Sequence, residues 1–161
     1  MHWIALQPEP ATPGPADDAL VDPYTALAWW ALQFTPMVAR VEDVLVLEVS
    51  GSERLFGGRE ALLERLFAPN RPVAQVKSAW GATSLIAIGR LHSSRLECPP
   101  DALPVSTLAA AQAHLPTLVR LGCRTWGDLR ALPRGGLVRR FGADLVAALD
   151  RAYGLDRKSV V

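Results

Sequence analysis

The stretch Val41-Glu42-Asp43-Val44-Leu45-Val46-Leu47-Glu48-Val49-Ser50-Gly51-Ser52-Glu53-Arg54-Leu55-Phe56-Gly57-Gly58 decides how the chain is read. From Val44 to Val49 every residue except Glu48 is valine or leucine, the composition of a strand buried on one or both faces. Asp43 opens that strand, and Gly51, Gly57 and Gly58 break the chain beyond it. A carboxylate at the mouth of a buried strand suits a metal or a phosphate. From pattern alone the commoner reading is a strand end turned to water.

Working outward, residues 37–40 pair with this strand as a hairpin that turns at 40–43. Upstream, Asp22-Pro23 caps a helix over 24–33, with Leu27, Trp30, Ala31 and Phe34 at helical spacing. Residues 1–7 read as a first strand stopped by Pro8 and Pro10, and residues 7–22 carry the prolines and glycine of a linker. Downstream come a helix over 59–67, a strand over 73–77, a turn at 81–84 capped by Thr83 or Ser84, and a helix over 85–91. The order β-α-β-β-α-β-α is the ferredoxin-like split βαβ pattern with one more helix, an α+β domain over residues 1–92. Pro99, Pro100 and Pro104 mark a linker at 93–104, and helices are expected over 106–113, 115–121, 125–131, 135–141 and 142–153.

Composition narrows the class. Of 161 residues half are hydrophobic and a fifth charged, which describes a globular chain. Cys98 and Cys123 are isolated, so neither a disulfide framework nor a zinc site is indicated. No basic segment leads an apolar run at the N-terminus, and no stretch approaches the ~18 apolar residues of a membrane span. A soluble protein of the reducing cytoplasm is expected. His2, His92 and His114 are scattered singly, and no Ser-His-Asp set, glycine-rich phosphate loop or metal-ligand cluster is present.

The helical half holds two hairpins. In Leu121-Gly122-Cys123-Arg124-Thr125-Trp126-Gly127-Asp128-Leu129 a glycine turn joins two short helices, the second capped by Thr125. Free amides at the start of that helix would bind a phosphate without reading a base. A looser second unit, Arg139-Arg140-Phe141-Gly142-Ala143-Asp144, comes after it. Between residues 114 and 154 seven arginines stand against three aspartates, a balance of +4 in a chain whose net charge is +1. That polarity fits a module resting on a nucleic-acid backbone. Gly122, Arg124, Thr125, Gly127, Arg139, Arg140 and Gly142 are therefore the candidate DNA contacts.

Together these segments resemble a family. The first hairpin with Arg140-Phe141-Gly142 is similar to the thumb of Y-family, lesion-bypass DNA polymerases. The strand with its Arg54-Leu55-Phe56-Gly57-Gly58 sequel, preceded by Gln33-Phe34-Thr35-Pro36, resembles the ImuB branch of that family, polymerase-like partners in bacterial damage-induced mutagenesis. The resemblance spans residues 1–154 and implies a palm at 1–92 and a helix-hairpin-helix thumb at 105–154. It implies that linker 7–22 replaces the fingers and that the chain is truncated before the little finger. Residues 156–161 depart from the pattern and read as translated adapter DNA.

In active members carboxylates hold two divalent metals ~4 Å apart. Matched position by position, Asp43 falls on one of these carboxylates, while Gln7 and Val44 occupy the places of the other two. Glu48 stands ~13 Å along the strand from Val44 and cannot substitute. A neutral amide at Gln7 cannot neutralise a hard dication. A triphosphate-contacting lysine is also missing from Thr83-Ser84-Leu85-Ile86. The resemblance thus implies no catalytic residue, no bound metal and no cofactor, in an adaptor for translesion synthesis. Its implied partners are DNA, an error-prone replicative-type polymerase, a RecA-like protein and the sliding clamp, with no membrane. The competing expectations are a working magnesium-dependent polymerase and a fragment that binds only protein.

Overall fold

The computed structural model describes residues 1–10 and 21–155; the part of the expected linker at 11–20 and the expected foreign tail at 156–161 lie outside the described residues. The fold is α+β. Strands β1 (Trp3–Pro8), β2 (Val38–Val41), β3 (Val44–Glu48) and β4 (Val76–Gly81) form one sheet in the order β2-β3-β1-β4. This is the split βαβ order, with β3 inserted between β1 and β2 and antiparallel to both. The described helices are α1 (Pro23–Ala31), α2 (Arg59–Leu66), α3 (Ser84–Ser93), α4 (Leu115–Arg120), α5 (Trp126–Ala131), α6 (Arg134–Phe141) and α7 (Ala143–Ala152). None of them is long and apolar enough to cross a membrane.

The chain divides into two compact units, Met1–Ala79 and Trp80–Val161. In the first, Ile4, Ala5 and Leu6 of β1 and Val44 to Leu47 of β3 are buried consecutively, as a strand covered on both faces requires. Leu27 and Ala31 of α1 and Leu62 and Leu66 of α2 complete this core. Helix α1 starts as its sequence dictates: the Asp22 carboxylate accepts from the Thr25 amide at 3.1 Å, with Pro23 in the first turn. The Trp30 indole N–H donates to the Leu66 carbonyl at 2.9 Å, joining α1 to α2. Gly57 (φ +85°) and Gly58 (φ +114°) make the turn into α2 in a region that disfavours any side chain.

The expected start of the last strand is corrected by the structure. Strand β4 begins at Val76, where the alternation of 73–77 placed it three residues earlier. Arg71 explains the shift, because its guanidinium donates to the carbonyls of Phe67, Val73 and Ala74 and so commits residues 71–74 to a loop. The division between the two units falls at Ala79 and Trp80, within β4. Helix α3 groups with the helical half, and within 93–104 the side chain of Leu103 is fully buried.

The second unit closes around Trp126, which is fully buried with Leu103, Leu108, Leu118, Leu129 and Leu145. Helix α3 meets this ring at Gly89, where an added Cβ would stand 3.2 Å from the Trp126 ring and 3.1 Å from Leu103. The Thr83 hydroxyl caps α3 by accepting from the Ile86 amide at 3.2 Å and donates to the Ala152 carbonyl at 2.7 Å. Residues 106–113 do not form the expected α-helix. They lie in two 3₁₀ pieces, Val105–Thr107 and Ala109–His114. The amides of Thr107, Leu108 and Ala111 bond three residues back, to Pro104, Val105 and Leu108, while the Val105 amide is tied to the Arg124 carbonyl and the Trp126 amide to the Leu103 carbonyl, each at 2.9 Å.

Candidate functional site

The β1–β3 ladder places the three matched positions at one strand mouth. Its register pairs Leu6 with Leu45, so Gln7 stands opposite Val44 and beside Asp43. The Gln7 side-chain amide donates to the Asp43 carboxylate at 2.6 Å. Val44 is fully buried and apolar. Where a metal pair would need converging oxygens, Asp43 receives an N–H. Among the described residues no group of three or more His, Cys, Asp or Glu side chains converges anywhere. The donor set therefore does not fit two divalent ions, whose hard charge asks for several oxygen ligands.

Glu48 is accounted for elsewhere. Its carboxylate accepts from the Ser50 amide at 3.0 Å and from the Ser50 hydroxyl, fixing the turn after β3.

The candidate DNA contacts lie on two hairpins of the second unit. Gly122 (φ +78°) reverses the chain between α4 and α5, and Gly142 (φ +91°) does so between α6 and α7. At the first hairpin the amides expected to be free are taken. Asp128 accepts from the Arg124 and Thr125 amides at 3.0 and 3.1 Å, while the Thr125 hydroxyl accepts from the Asp128 amide at 3.1 Å. This reciprocal capping box satisfies the helix start internally and sets a negative charge there. Gly127 faces the Asp101 backbone, whose carbonyl oxygen lies 2.9 Å from where a Cβ would stand.

The second hairpin is different. No side chain caps α7, and Arg139 and Arg140 are both exposed. Arg139 donates to the Gly135 carbonyl of its own helix at 3.2 Å, so its guanidinium is fanned along α6. Arg134 is committed to structure through a two-pronged bond to Asp150 at 2.7 and 2.9 Å. Arg130 stacks over the Tyr153 ring at 4.3 Å.

These bonds shift proton affinities. The backbone donors at Arg124 and Thr125, then the Thr125 hydroxyl, hold the Asp128 carboxyl below the usual carboxylate range. The Arg134 guanidinium bond does the same for Asp150. Burial, then the nearby Asp128 charge, pushes the Cys123 thiol up and away from the reactive thiolate. For both aspartates the native pKa lies under the unfolded value of ~3.9, so their contribution is complete above ~pH 5 and fades as pH falls through the native values. Urea unfolding is expected to show a lower midpoint at pH 3 than at pH 6. Asp128→Asn should narrow that difference; an unchanged difference would remove the capping box from the account.

No family model matches the chain. It is, however, 34% identical over 163 aligned residues to Protein ImuB of two Caulobacter vibrioides strains, NA1000 / CB15N and ATCC 19089 / CIP 103742 / CB 15, a match that covers 94% of this chain. The chain is an ImuB-type homologue. It spans about a third (34%) of the length of those two relatives.

Three residues of this ImuB-type chain stand at the two sites without having been singled out from the sequence. Tyr24 donates its hydroxyl to the Asp43 carbonyl at 3.0 Å. Arg40 lies 4.0 Å over the Tyr24 ring and pairs with Asp22 at 3.4 Å. Only folding brings these together, because α1 and the β2–β3 hairpin are separate elements of the chain. Asp128 is the third, and its signal was local: Thr125-x-x-Asp128 is the spacing of a capping box.

Proposed function

We propose that this chain is a non-catalytic, DNA-binding part of a Y-family-like protein of damage-induced mutagenesis, acting as an adaptor in translesion synthesis. The observation that carries this reading is the Gln7 amide donated to Asp43 at 2.6 Å, where metal-dependent nucleotidyl transfer calls for a second carboxylate. DNA contact is assigned to the second hairpin, through Arg139, Arg140 and the turn at Gly142, with Arg124 at the rim of the first. Gly122, Thr125 and Gly127 shape the first hairpin and leave its amides to Asp128. Contacts of this kind touch phosphate and not base, so binding is sequence-independent, salt-sensitive and weak for a lone module, ~10⁻⁴–10⁻⁶ M. The proposed protein partners are an error-prone replicative-type polymerase, a RecA-like protein and the sliding clamp, all in the cytoplasm.

Primer extension tests the catalytic half of the proposal. With a primer–template, all four deoxynucleotides and millimolar magnesium, purified protein is expected to leave the primer unextended. Extension that Asp43→Ala abolishes would establish a working polymerase instead.

A further inference from the structure

Among the described residues strand β2 forms one edge of the sheet, and its outer side carries a pattern of donors and acceptors. The Glu48 amide donates to the Met37 carbonyl at 3.0 Å, which fixes the phase of the β2–β3 ladder. With Val38 opposite Leu47 and Arg40 opposite Leu45, hydrogen-bonded pairs fall at Met37, Ala39 and Val41. The N–H and C=O groups of Val38 and Arg40 therefore point outward. Beside this edge runs a groove of about 250 Å³ between α1 and β2, lined by Ala28, Trp29, Leu32, Val38 and Leu45 among others. Trp29 is 68% and Leu32 45% exposed, large apolar surface for one short helix. Natural proteins commonly blunt such edges with proline, charged side chains or a covering element; residues 38–41 contain no proline, and their one charged side chain, Arg40, is held over the Tyr24 ring and against Asp22.

We propose that β2 and this groove bind an extended, apolar segment of a partner protein, which adds to the sheet as a fifth strand. Outward groups at alternate residues are matched only by another backbone in the β conformation, and the groove receives the side chains that such a strand points toward α1. Arg40 is already paired with Asp22, so the groove asks for uncharged side chains. A second copy of this chain is a poor occupant. A four-residue edge is only ~13 Å long, and pairing two such edges buries a small fraction of the ~800 Å² per partner that a stable dimer needs. The inference stands on the sheet edge and does not depend on the DNA reading.

The test uses the full chain and a capped hexapeptide of alternating threonine and leucine, followed by amide NMR and hydrogen exchange. Millimolar peptide is expected to slow exchange at the Val38 and Arg40 amides about tenfold or more, while Ala39 and Val41 keep the protection they already have. Trp29→Ala, on an exposed position that leaves the fold intact, should weaken binding about tenfold, the effect of losing an aromatic anchor. The same peptide N-methylated at the residues facing the edge should not bind. Equal binding of the methylated peptide, or no protection at Val38 and Arg40 at saturation, overturns the proposal. So does protection of those two amides that rises with protein concentration alone, which would assign the edge to a second copy.

Discussion

Trp126→Ala is expected to cost about 3–5 kcal/mol, enough to unfold a marginal domain outright. The indole is fully buried, packs edge-on to Tyr153 with ring centroids 6.2 Å apart, and lies against the Cβ-free face of Gly89. Its indole nitrogen has no hydrogen-bond partner among the described residues, so truncation breaks no polar contact. The loss is one of packing and apolar burial, and it falls on the ring around which α3, α5 and α7 assemble. Trp126→Phe separates the two contributions. It keeps most of the apolar surface, removes the unpaired donor, and should cost far less than alanine. Urea unfolding followed by far-UV circular dichroism measures both variants. A loss under about 1 kcal/mol for Trp126→Ala would show that the cavity collapses and that this core is organised elsewhere.

Arg139→Ala with Arg140→Ala should weaken DNA binding uniformly across sequences and flatten its salt dependence. Each phosphate neutralised contributes ~0.9 to the slope of log affinity against log salt, so losing two contacts should lower the slope by about 2. Both arginines are exposed on α6, and neither has an ion-pair partner among the described residues, so stability should hardly move. Fluorescence anisotropy with a labelled duplex between 50 and 200 mM salt reads the effect. Lys77→Ala is the control: that side chain is exposed, pairs with Glu9 at 3.1 Å, and lies on β4 away from both hairpins in sequence. Equal slopes for the double variant and the parent would place the DNA face elsewhere.

The fold was largely legible because its signals are local or periodic. The run from Val44 to Leu47, the Asp22-Pro23 start of α1 and the glycines at 57 and 58 each state their own conformation. Failures came where a segment's own pattern is silent. Nothing in 73–77 announces that the Arg71 guanidinium holds the Val73 and Ala74 carbonyls, and nothing in 106–113 announces that the segment winds as two 3₁₀ pieces. At the strand mouth the residues matched to the family do meet, as Gln7 bonded to Asp43, while Tyr24 and Arg40 are added by tertiary structure alone. At the first hairpin the reading of a helix start as open to phosphate overlooked that a carboxylate three residues into the helix can fold back and fill it.

The mouth of β1 and β3, where an amide is donated to the Asp43 carboxylate, is not expected to gather two divalent ions. Titrating manganese against the protein, and tracking paramagnetic broadening of the Gln7, Asp43 and Val44 amide signals, tests it directly. At most weak, unsaturated broadening is expected through millimolar metal, no stronger than at an ordinary exposed aspartate. Saturable broadening with two ions per chain, displaced by magnesium and abolished by Asp43→Ala, would contradict it.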